Sequence, residues 1–324
     1  MVTNLWFFKA KSESLEKLKR ELPKINLSIH AHQSLPELSD LLNSQYLSSG
    51  KRFRALLFLI NSNMFHTSPD EVLAFARILE LIHSATLVHD DVMDQAPRRR
   101  DKDTINHLKS NSAAILCGDF LIAQVMKETA AGGRLDILKE LSGVVEDLVV
   151  GQYMELESQG VLHQNWDRQI EIARLKTGSL VRSCFSIPGR LASLDLPTLK
   201  ALELVGEKVG VAFQIQDDIL DFSQNTGKAS GQDLAQGMMN FVSIQLLRDY
   251  PQLKDELREV FGAEHPEIPQ AWPLPEVCLK LRAYSKALLR EATDQVERIQ
   301  DRAVNEEARK YLRQVIEKLG DRTK

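Results

Sequence analysis

The chain has 324 residues, enough to bury a sizeable core as one large domain or two, and its 43% hydrophobic and 27% charged residues describe an ordinary soluble globular protein. A formal net charge of −4 argues against nucleic acid as the main partner, so an anionic substrate would need metal ions or local clusters of Lys and Arg to overcome that field. The three cysteines, Cys117, Cys184 and Cys278, show no CxxC or metal-ligand spacing and read as free thiols, so the expected location is the reducing cytoplasm.

At the N-terminal end, the aromatic run Leu5-Trp6-Phe7-Phe8 is too short for a signal h-region. No stretch is expected to approach a transmembrane helix, the longest continuous apolar run near the front being Ala55 to Ile60. Apolar residues near i, i+3 and i+4 predict helices over Leu15 to Leu22, Leu35 to Leu47, Ala55 to Met64, Glu71 to Asp91, Ser112 to Ala130 and Leu135 to Gln159. The same spacing continues over Gln169 to Cys184, Thr198 to Asp221, Phe241 to Arg248, Leu274 to Arg298 and Asn305 to Leu319. Ser68-Pro69-Asp70-Glu71 and Asp195-Leu196-Pro197-Thr198 read as helix starts. Alternating strand patterns bounded by Asn-Gly or Asp-Gly are absent. The breaks at Ala131-Gly132-Gly133, Ser158-Gln159-Gly160, Gly227 to Gly237 and Pro266 to Pro275 are too short or too complex for interdomain linkers. An all-α fold follows, read as one helical domain over 1–324, with Gly227 to Gly237 as a mobile-loop candidate.

The chemistry-bearing stretches lie on or between these helices. Ser49-Gly50-Lys51-Arg52-Phe53-Arg54 opens an apolar helix, where backbone N–H groups and cations together suit a phosphate. Glu80 to Arg100, ELIHSATLVHDDVMDQAPRRR, places Asp90, Asp91 and Asp94 at the end of an apolar run, with Arg98, Arg99 and Arg100 just after it. At 3.6 residues per turn Asp90 and Asp94 share a helix face. Like charges that close call for a cation, and an oxygen-only donor set without Cys favours Mg2+ over zinc. The arginines supply forks for phosphate oxygens. His83, judged on its apolar surroundings alone, reads as a satisfied core histidine. Leu175-Lys176-Thr177-Gly178 and Thr226-Gly227-Lys228 are two further phosphate-sized sets. Between them Phe213 to Phe222, FQIQDDILDF, repeats the aspartate spacing with Asp217, Asp218 and Asp221. One acidic cluster on a helix is usually a solvated face. Two with the same spacing, both set among apolar residues such as Phe213, Ile219, Leu220 and Phe222, point instead to a carboxylate cage built across a helical bundle.

With these stretches in view, the sequence resembles the trans-isoprenyl diphosphate synthases, which join isopentenyl diphosphate to an allylic diphosphate. The resemblance rests on GKRFR, ELIHSATLVHDDVMD, the arginine pair, AAILCGDFLIA (Ala113 to Ala123), LKT, FQIQDDILDF and GKASGQDLAQG, and covers about Gly50 to Gly237. It implies a helical bundle around a deep central cavity, usually as a homodimer. It further implies that Asp90 and Asp94, with Asp217 opposite and Asp218 and Asp221 supporting, hold Mg2+ ions bridging to the allylic diphosphate. Arg99, Lys176 and Lys228 are then the contacts of that diphosphate, and Gly50, Lys51, Arg54, His83 and Arg100 those of isopentenyl diphosphate. Phe213 and Gln214 would sit near the reacting carbons, where an aromatic face stabilises a developing cation, and Lys176 and Thr177 count with them as catalytic. Ala85 and Thr86, five and four places before the first aspartate, help to set the cavity floor, with Leu81 and Ile82 a turn deeper. Small side chains at the first level imply an open tunnel and a product longer than farnesyl diphosphate.

The chain departs from the family pattern at three places. Gly237 is followed by Met238, Met239 and Asn240 where the family usually reads GK-x-T, Ala55 stands for a Pro, and Asp101-Lys102-Asp103 stands for a glycine turn. Two other readings compete with the synthase. A non-catalytic regulatory subunit tends to lose aspartates that are intact here, and only the Met238 to Asn240 segment favours it. A class I terpene cyclase shares the first aspartate motif but mixes Asn, Ser or Thr with Glu in the second, and it has no use for Lys51 and Arg54.

Overall fold

Among the residues the structure describes, helical spacing in the sequence becomes helix almost throughout; part of the expected Leu15 to Leu22 helix lies outside them. The structure is a computed structural model and describes residues 18, 20–30, 35–48, 50, 52–222, 231–263, 267–299 and 304–321. Among these, the helices are Pro36–Leu42, Phe53–Ser62, Pro69–Met93, Ile105–Leu108, Asn111–Ala131, Leu135–Ser158, Trp166–Ala173, Ser179–Leu191, Leu196–Asp221, Gln232–Ala235, Phe241–Asp249, Lys254–Val260, Leu274–Arg298 and Glu306–Leu319. The Pro69–Met93 helix starts after Ser68 with Pro69, Asp70 and Glu71 in its first turn, as its start signal predicts. Two expected helices, Leu35 to Leu47 and Gln169 to Cys184, are interrupted by π turns at Asn43–Leu47 and Arg174–Gly178.

One strand pair escapes the expectation of no strands. Arg98–Arg99 pairs antiparallel with Lys102–Asp103, Arg98 opposite Asp103 and Arg99 opposite Lys102. The two linking residues, Arg100 (φ 50°) and Asp101 (φ 63°), are both left-handed. Such a turn normally takes Asn-Gly, because the left-handed region costs an L-residue about 1 kcal/mol or more. Without that signature the hairpin is invisible in the sequence.

The chain resolves into two compact units. The first draws on Met1–Gly143, Ser183–Asp195 and Asp301–Leu312, the second on Val144–Arg182, Leu196–Gln300 and Arg313–Lys324. Three of the boundaries fall inside helices and not at the breaks noted in the sequence.

In the first unit the Pro69–Met93 helix packs against Phe53–Ser62 and Asn111–Ala131, burying Phe75, Ile78, Leu79, Leu81, Ile82, Ala85 and Val88. By length and composition this helix would span a bilayer, which a search for unbroken apolar runs does not detect. Its apolar side chains are spent on the core, as expected of a central helix in a folded unit. A Cβ on Gly118 would lie 2.1 Å from His89 Nε2, so the ring as placed packs directly on that glycine of the Asn111–Ala131 helix.

In the second unit the Leu196–Asp221 helix packs against Leu274–Arg298 and against the Arg174–Gly178 turn. Its core holds Val211, Ile215, Ile219, Phe241, Trp272, Val277 and Leu281. A Cβ on Gly210 would lie 2.5 Å from Gly178 Cα, so the two backbones touch there.

Candidate functional site

The Pro69–Met93 helix has two unlike faces near its C-terminal end. Leu81, Ile82 and Ala85 are 0%, 0% and 1% exposed and belong to the packed interior. His83, Thr86 and Asp90 are half-buried on the opposite side, and Asp94 is exposed at the C-cap. Of the four residues expected at the cavity floor, Thr86 alone therefore keeps accessible surface, its Oγ1 donating to the His83 carbonyl at 2.8 Å. The other three are sealed by their neighbours.

Asp91 lies on the buried side, fully removed from solvent. Its Oδ1 accepts from Arg99 Nε at 2.7 Å and its Oδ2 from Tyr46 Oη at 2.5 Å. Burial and the neighbouring Asp91 charge push the Tyr46 phenol up, so it keeps the proton it donates. Asn106 Nδ2 donates to the carbonyls of Asp91 and Ala96 and closes the helix end. The middle aspartate thus anchors the arginine hairpin, while Asp90 and Asp94 stay accessible.

Beside it, the Phe53–Ser62 helix begins after a left-handed Arg52, and Glu80 Oε1 accepts from Ala55 N at 2.9 Å in its first turn. Burial raises the Glu80 carboxyl, and the charges of Arg54, Arg52 and Arg100 oppose that shift. Burial, together with Arg54, Arg100 and Arg99, holds His83 well below the ordinary imidazole range, which favours the neutral ring. Gly50 (φ 143°) is favoured by its backbone conformation, and the Arg100 guanidinium lies against it, with Nη1 2.7 Å from where a Cβ would stand. Arg54, His83, Arg99, Arg100 and Gly50 are thereby gathered in one place; Lys51 lies outside the described residues.

The second unit assembles the other motif residues. A Cβ on Gly151 would lie 2.7 Å from Leu175 Cβ and 2.9 Å from Lys176 N, so glycine lets the Leu135–Ser158 helix close on the Arg174–Gly178 turn. One turn further on, Glu155 pairs with Lys176, and Gln152 Nε2 donates to the same Glu155 oxygen at 3.2 Å. Thr177 Oγ1 donates to Gln214 Oε1 at 2.7 Å, and Gln214 Nε2 to Asp218 Oδ1 at 2.8 Å. The other Asp218 oxygen accepts from Phe241 N at 2.9 Å. Asp218 is buried with both oxygens engaged, which makes it a brace, whereas Phe213, Asp217 and Asp221 are half-buried. Asp221 accepts from Gln232 N at 3.1 Å and Asp233 N at 3.4 Å. Lys228 and most of the loop candidate Gly227 to Gly237 lie outside the described residues.

Negative charge is in excess here. Burial and Asp221 push the Asp233 carboxyl up to about 7, with Glu155 adding to the rise while Asn240 and Lys176 oppose it. Burial, then Asp233 and Asp217, drive Asp218 well above the carboxylate range. An oxygen-only donor set short of positive charge suits a hard divalent cation. Among the described residues, no three acidic or thiol or imidazole side chains are gathered closely enough to hold an ion by themselves.

Residues 36–272 match the polyprenyl synthetase family. The chain belongs to that family. It is 34% identical over 231 residues to the decaprenyl-diphosphate synthase of Dictyostelium discoideum, covering 70% of this chain and 50% of that protein. It is 33% identical over 249 residues to a prenyl transferase of Synechocystis sp., covering 74% of this chain and 76% of that protein. It thus spans about half the length of the first relative. The heptaprenyl diphosphate synthase of Staphylococcus aureus superposes with a TM-score of 0.80 at 25% identity, over 97% of this chain and 100% of that one. The expected all-α isoprenoid synthase fold is therefore the observed one.

For a polyprenyl synthetase, two departures in this sequence now have a physical account. Asn240, where the family pattern has Thr, is the N-cap of the Phe241–Asp249 helix, in a capping box with Ser243, and its Nδ2 also donates to Asp233 Oδ2 at 2.8 Å. Asp101 takes the left-handed place of the usual glycine. Met238 brings no cation beside Asp233, whose carbonyl accepts from Met238 N at 2.8 Å. Glu80, Glu155 and Asp233 were not singled out from the sequence as site residues. Asn240 followed by Ser243 was a legible capping signal, whereas Glu155 becomes visible only through the contact made at Gly151.

Proposed function

We propose that the chain is a polyprenyl diphosphate synthase, condensing isopentenyl diphosphate with an allylic diphosphate into a trans-polyprenyl diphosphate longer than farnesyl diphosphate. The observation that carries this is Asp91: its buried carboxylate takes Arg99 on one oxygen, so an arginine fork is fastened beside the accessible pair Asp90 and Asp94. Metal carboxylates and a diphosphate cation are what a diphosphate leaving group requires together. The long-chain products named for the relatives support the length.

In this reading the Mg2+ ligands are the aspartates of the two repeated motifs, Asp90 and Asp94, and Asp217 with Asp221. When bound, Mg2+ supplies charge neutralisation for the departing diphosphate. Arg99 and Lys176 orient the allylic diphosphate, Lys176 exchanging its Glu155 partner for phosphate oxygens, with Lys228 assigned there by sequence alone. Arg54, Arg100, Lys51 and neutral His83 hold isopentenyl diphosphate, its anionic end lying among arginines that Glu80 partly balances. Phe213 offers its ring to the developing allylic cation while Thr177, Gln214 and Asp218 keep the Leu196–Asp221 helix in register with Lys176. The alkene of isopentenyl diphosphate attacks the cation, and the proton lost from the product passes to the released diphosphate.

The assembly is a homodimer, a reading supported by the exposed Ile115 and Leu116 of the Asn111–Ala131 helix. The reaction belongs to the cytoplasm, a reading supported by three free cysteines, of which Cys117 and Cys184 are buried. The test is purified chain with Mg2+, isopentenyl diphosphate and farnesyl diphosphate, with products resolved by length. Asp90→Ala and Asp217→Ala should each lose several orders of magnitude in turnover at unchanged helicity. Near-wild-type rates in either variant would overturn the mechanism. A wild-type chain that is inactive but stimulates a catalytic homologue would establish the regulatory-subunit reading.

A further inference from the structure

The arginine hairpin does not hold its own shape. Its strands are two residues long and both turn residues are left-handed without being glycine, a combination with no stability in isolation. What it rests on is the Asn43–Leu47 π turn, a local geometry frequent at functional sites. Arg99 and Lys102 face each other across the hairpin, so their side chains lie on one face. That face meets the turn twice. Lys102 Nζ donates to the Ser44 carbonyl at 2.6 Å and to Ser48 Oγ at 2.9 Å, while Arg99 is joined to Tyr46 through Asp91. Arg98 and Asp103, on the other face, pair with each other at 3.6 Å.

We infer that Tyr46 is a positioning residue for Arg99. Its hydroxyl pins one oxygen of Asp91, the other oxygen receives Arg99 Nε, and the Nη fork of Arg99 is thereby aimed at the diphosphate. Tyr46 is 6% exposed and Asp91 0%, so water does not replace either partner. Asp91 acts here as a strut, distinct from the metal role given to Asp90 and Asp94. Lys102 sets the height of the same hairpin at its far strand. The inference rests on the diphosphate reading of the site proposed above.

Tyr46→Phe deletes one hydroxyl and keeps the ring. With Mg2+ present, and at a temperature where circular dichroism shows the variant folded, the KM for farnesyl diphosphate should rise about tenfold, the loss of one hydrogen bond to a charged group. The KM for isopentenyl diphosphate should not move. Arg99→Lys lacks the fork that Asp91 aims, so adding Tyr46→Phe to it should raise that KM no further. An unmoved KM in Tyr46→Phe, equal rises for both substrates, or a full additive effect in the Arg99→Lys background would each overturn the inference while leaving the synthase reading intact. A wild-type chain inert toward both substrates overturns the reading of the site, and the inference with it.

Discussion

Thr177 Oγ1 donates to Gln214 Oε1 at 2.7 Å, and this sets the Gln214 amide so that its nitrogen meets Asp218 Oδ1 at 2.8 Å. The order follows from chemistry, since the amide nitrogen of Gln214 and the backbone nitrogen of Phe241 can only donate and both meet Asp218. Three elements are tied by this chain of bonds: the Arg174–Gly178 turn, the Leu196–Asp221 helix and the Phe241–Asp249 helix. The carbon-facing part of the site, Phe213 included, inherits its position from them.

Gln214→Leu keeps the bulk and removes both links. Asp218, 3% exposed, is left with Phe241 N as the remaining partner among the two named, and Thr177 loses its acceptor. The expected cost is about 1–3 kcal/mol of stability, the penalty of an unsatisfied buried polar group, read from the urea midpoint at constant m-value. A variant as stable as wild type would show that the network carries no structural load.

Two glycines in helices should respond with opposite sign. A Cβ on Gly210 would lie 2.5 Å from Gly178 Cα and 3.0 Å from Gly178 N, backbone atoms that cannot swing aside. Gly210→Ala should cost about 1–3 kcal/mol and lower kcat, because the turn carrying Lys176 and Thr177 is forced off the helix carrying Gln214. Gly143, within Leu135–Ser158, has nothing within 4 Å of its Cβ position. Gly143→Ala should stabilise by about 0.5–1 kcal/mol through helix propensity alone. Thermal melts of the two variants side by side decide the matter, and equal shifts would refute the contact.

Asp233 gives a pH signature with a definite sign. Its carboxyl sits at about 7 in the folded chain against 3.8 when free of the fold. A raised acid keeps its proton on folding, so the stabilisation from this group is complete below about pH 4 and is lost as pH rises through about 7. His83, held below its ordinary 6.5, works in the reverse direction over the upper part of that window. The informative quantity is therefore the difference between wild type and Asp233→Asn in metal-free buffer. Wild type should lose stability relative to the variant between about pH 4 and about pH 7, and Mg2+ should recover part of the loss. A difference that is flat with pH would mean Asp233 ionises normally.

Much of this was legible in the sequence, and the failures have causes. Counting helix faces separates Asp90 and Asp94 from Asp91, and their exposure follows that count because the Pro69–Met93 helix is regular there. The pairing of Glu155 with Lys176 was not legible, since it depends on a close approach at Gly151 between elements with no shared periodic signal. The hairpin was missed because Arg100 and Asp101 occupy backbone conformations whose usual residues are absent. His83 looked like a core residue because its neighbours in sequence are apolar, yet its neighbours in space are arginines. Local pattern reports faces and caps, and says little about which charged groups meet across them.

Product length is where burial changes the expectation most. The family resemblance implies Ala85 and Thr86 together at the cavity floor, but Ala85 is 1% exposed and Thr86 half-buried on the face that carries His83 and Asp90. A growing chain can be stopped only by a side chain that reaches accessible space, so Thr86→Phe is the substitution expected to shorten the product distribution. Ala85→Phe adds a ring to a packed interior and should cost about 1–3 kcal/mol of stability, lowering the melting temperature before it alters length. Leu81→Ala, at 0% exposure, should open a buried cavity at about 2–5 kcal/mol with product length unchanged. Chain-length analysis of the three variants with farnesyl diphosphate and excess isopentenyl diphosphate, each beside its thermal melt, separates the cases. Shortening by Ala85→Phe at an unchanged melting temperature would place the floor on the face now assigned to the core, and a wild-type product that stops at farnesyl diphosphate would remove the open floor altogether.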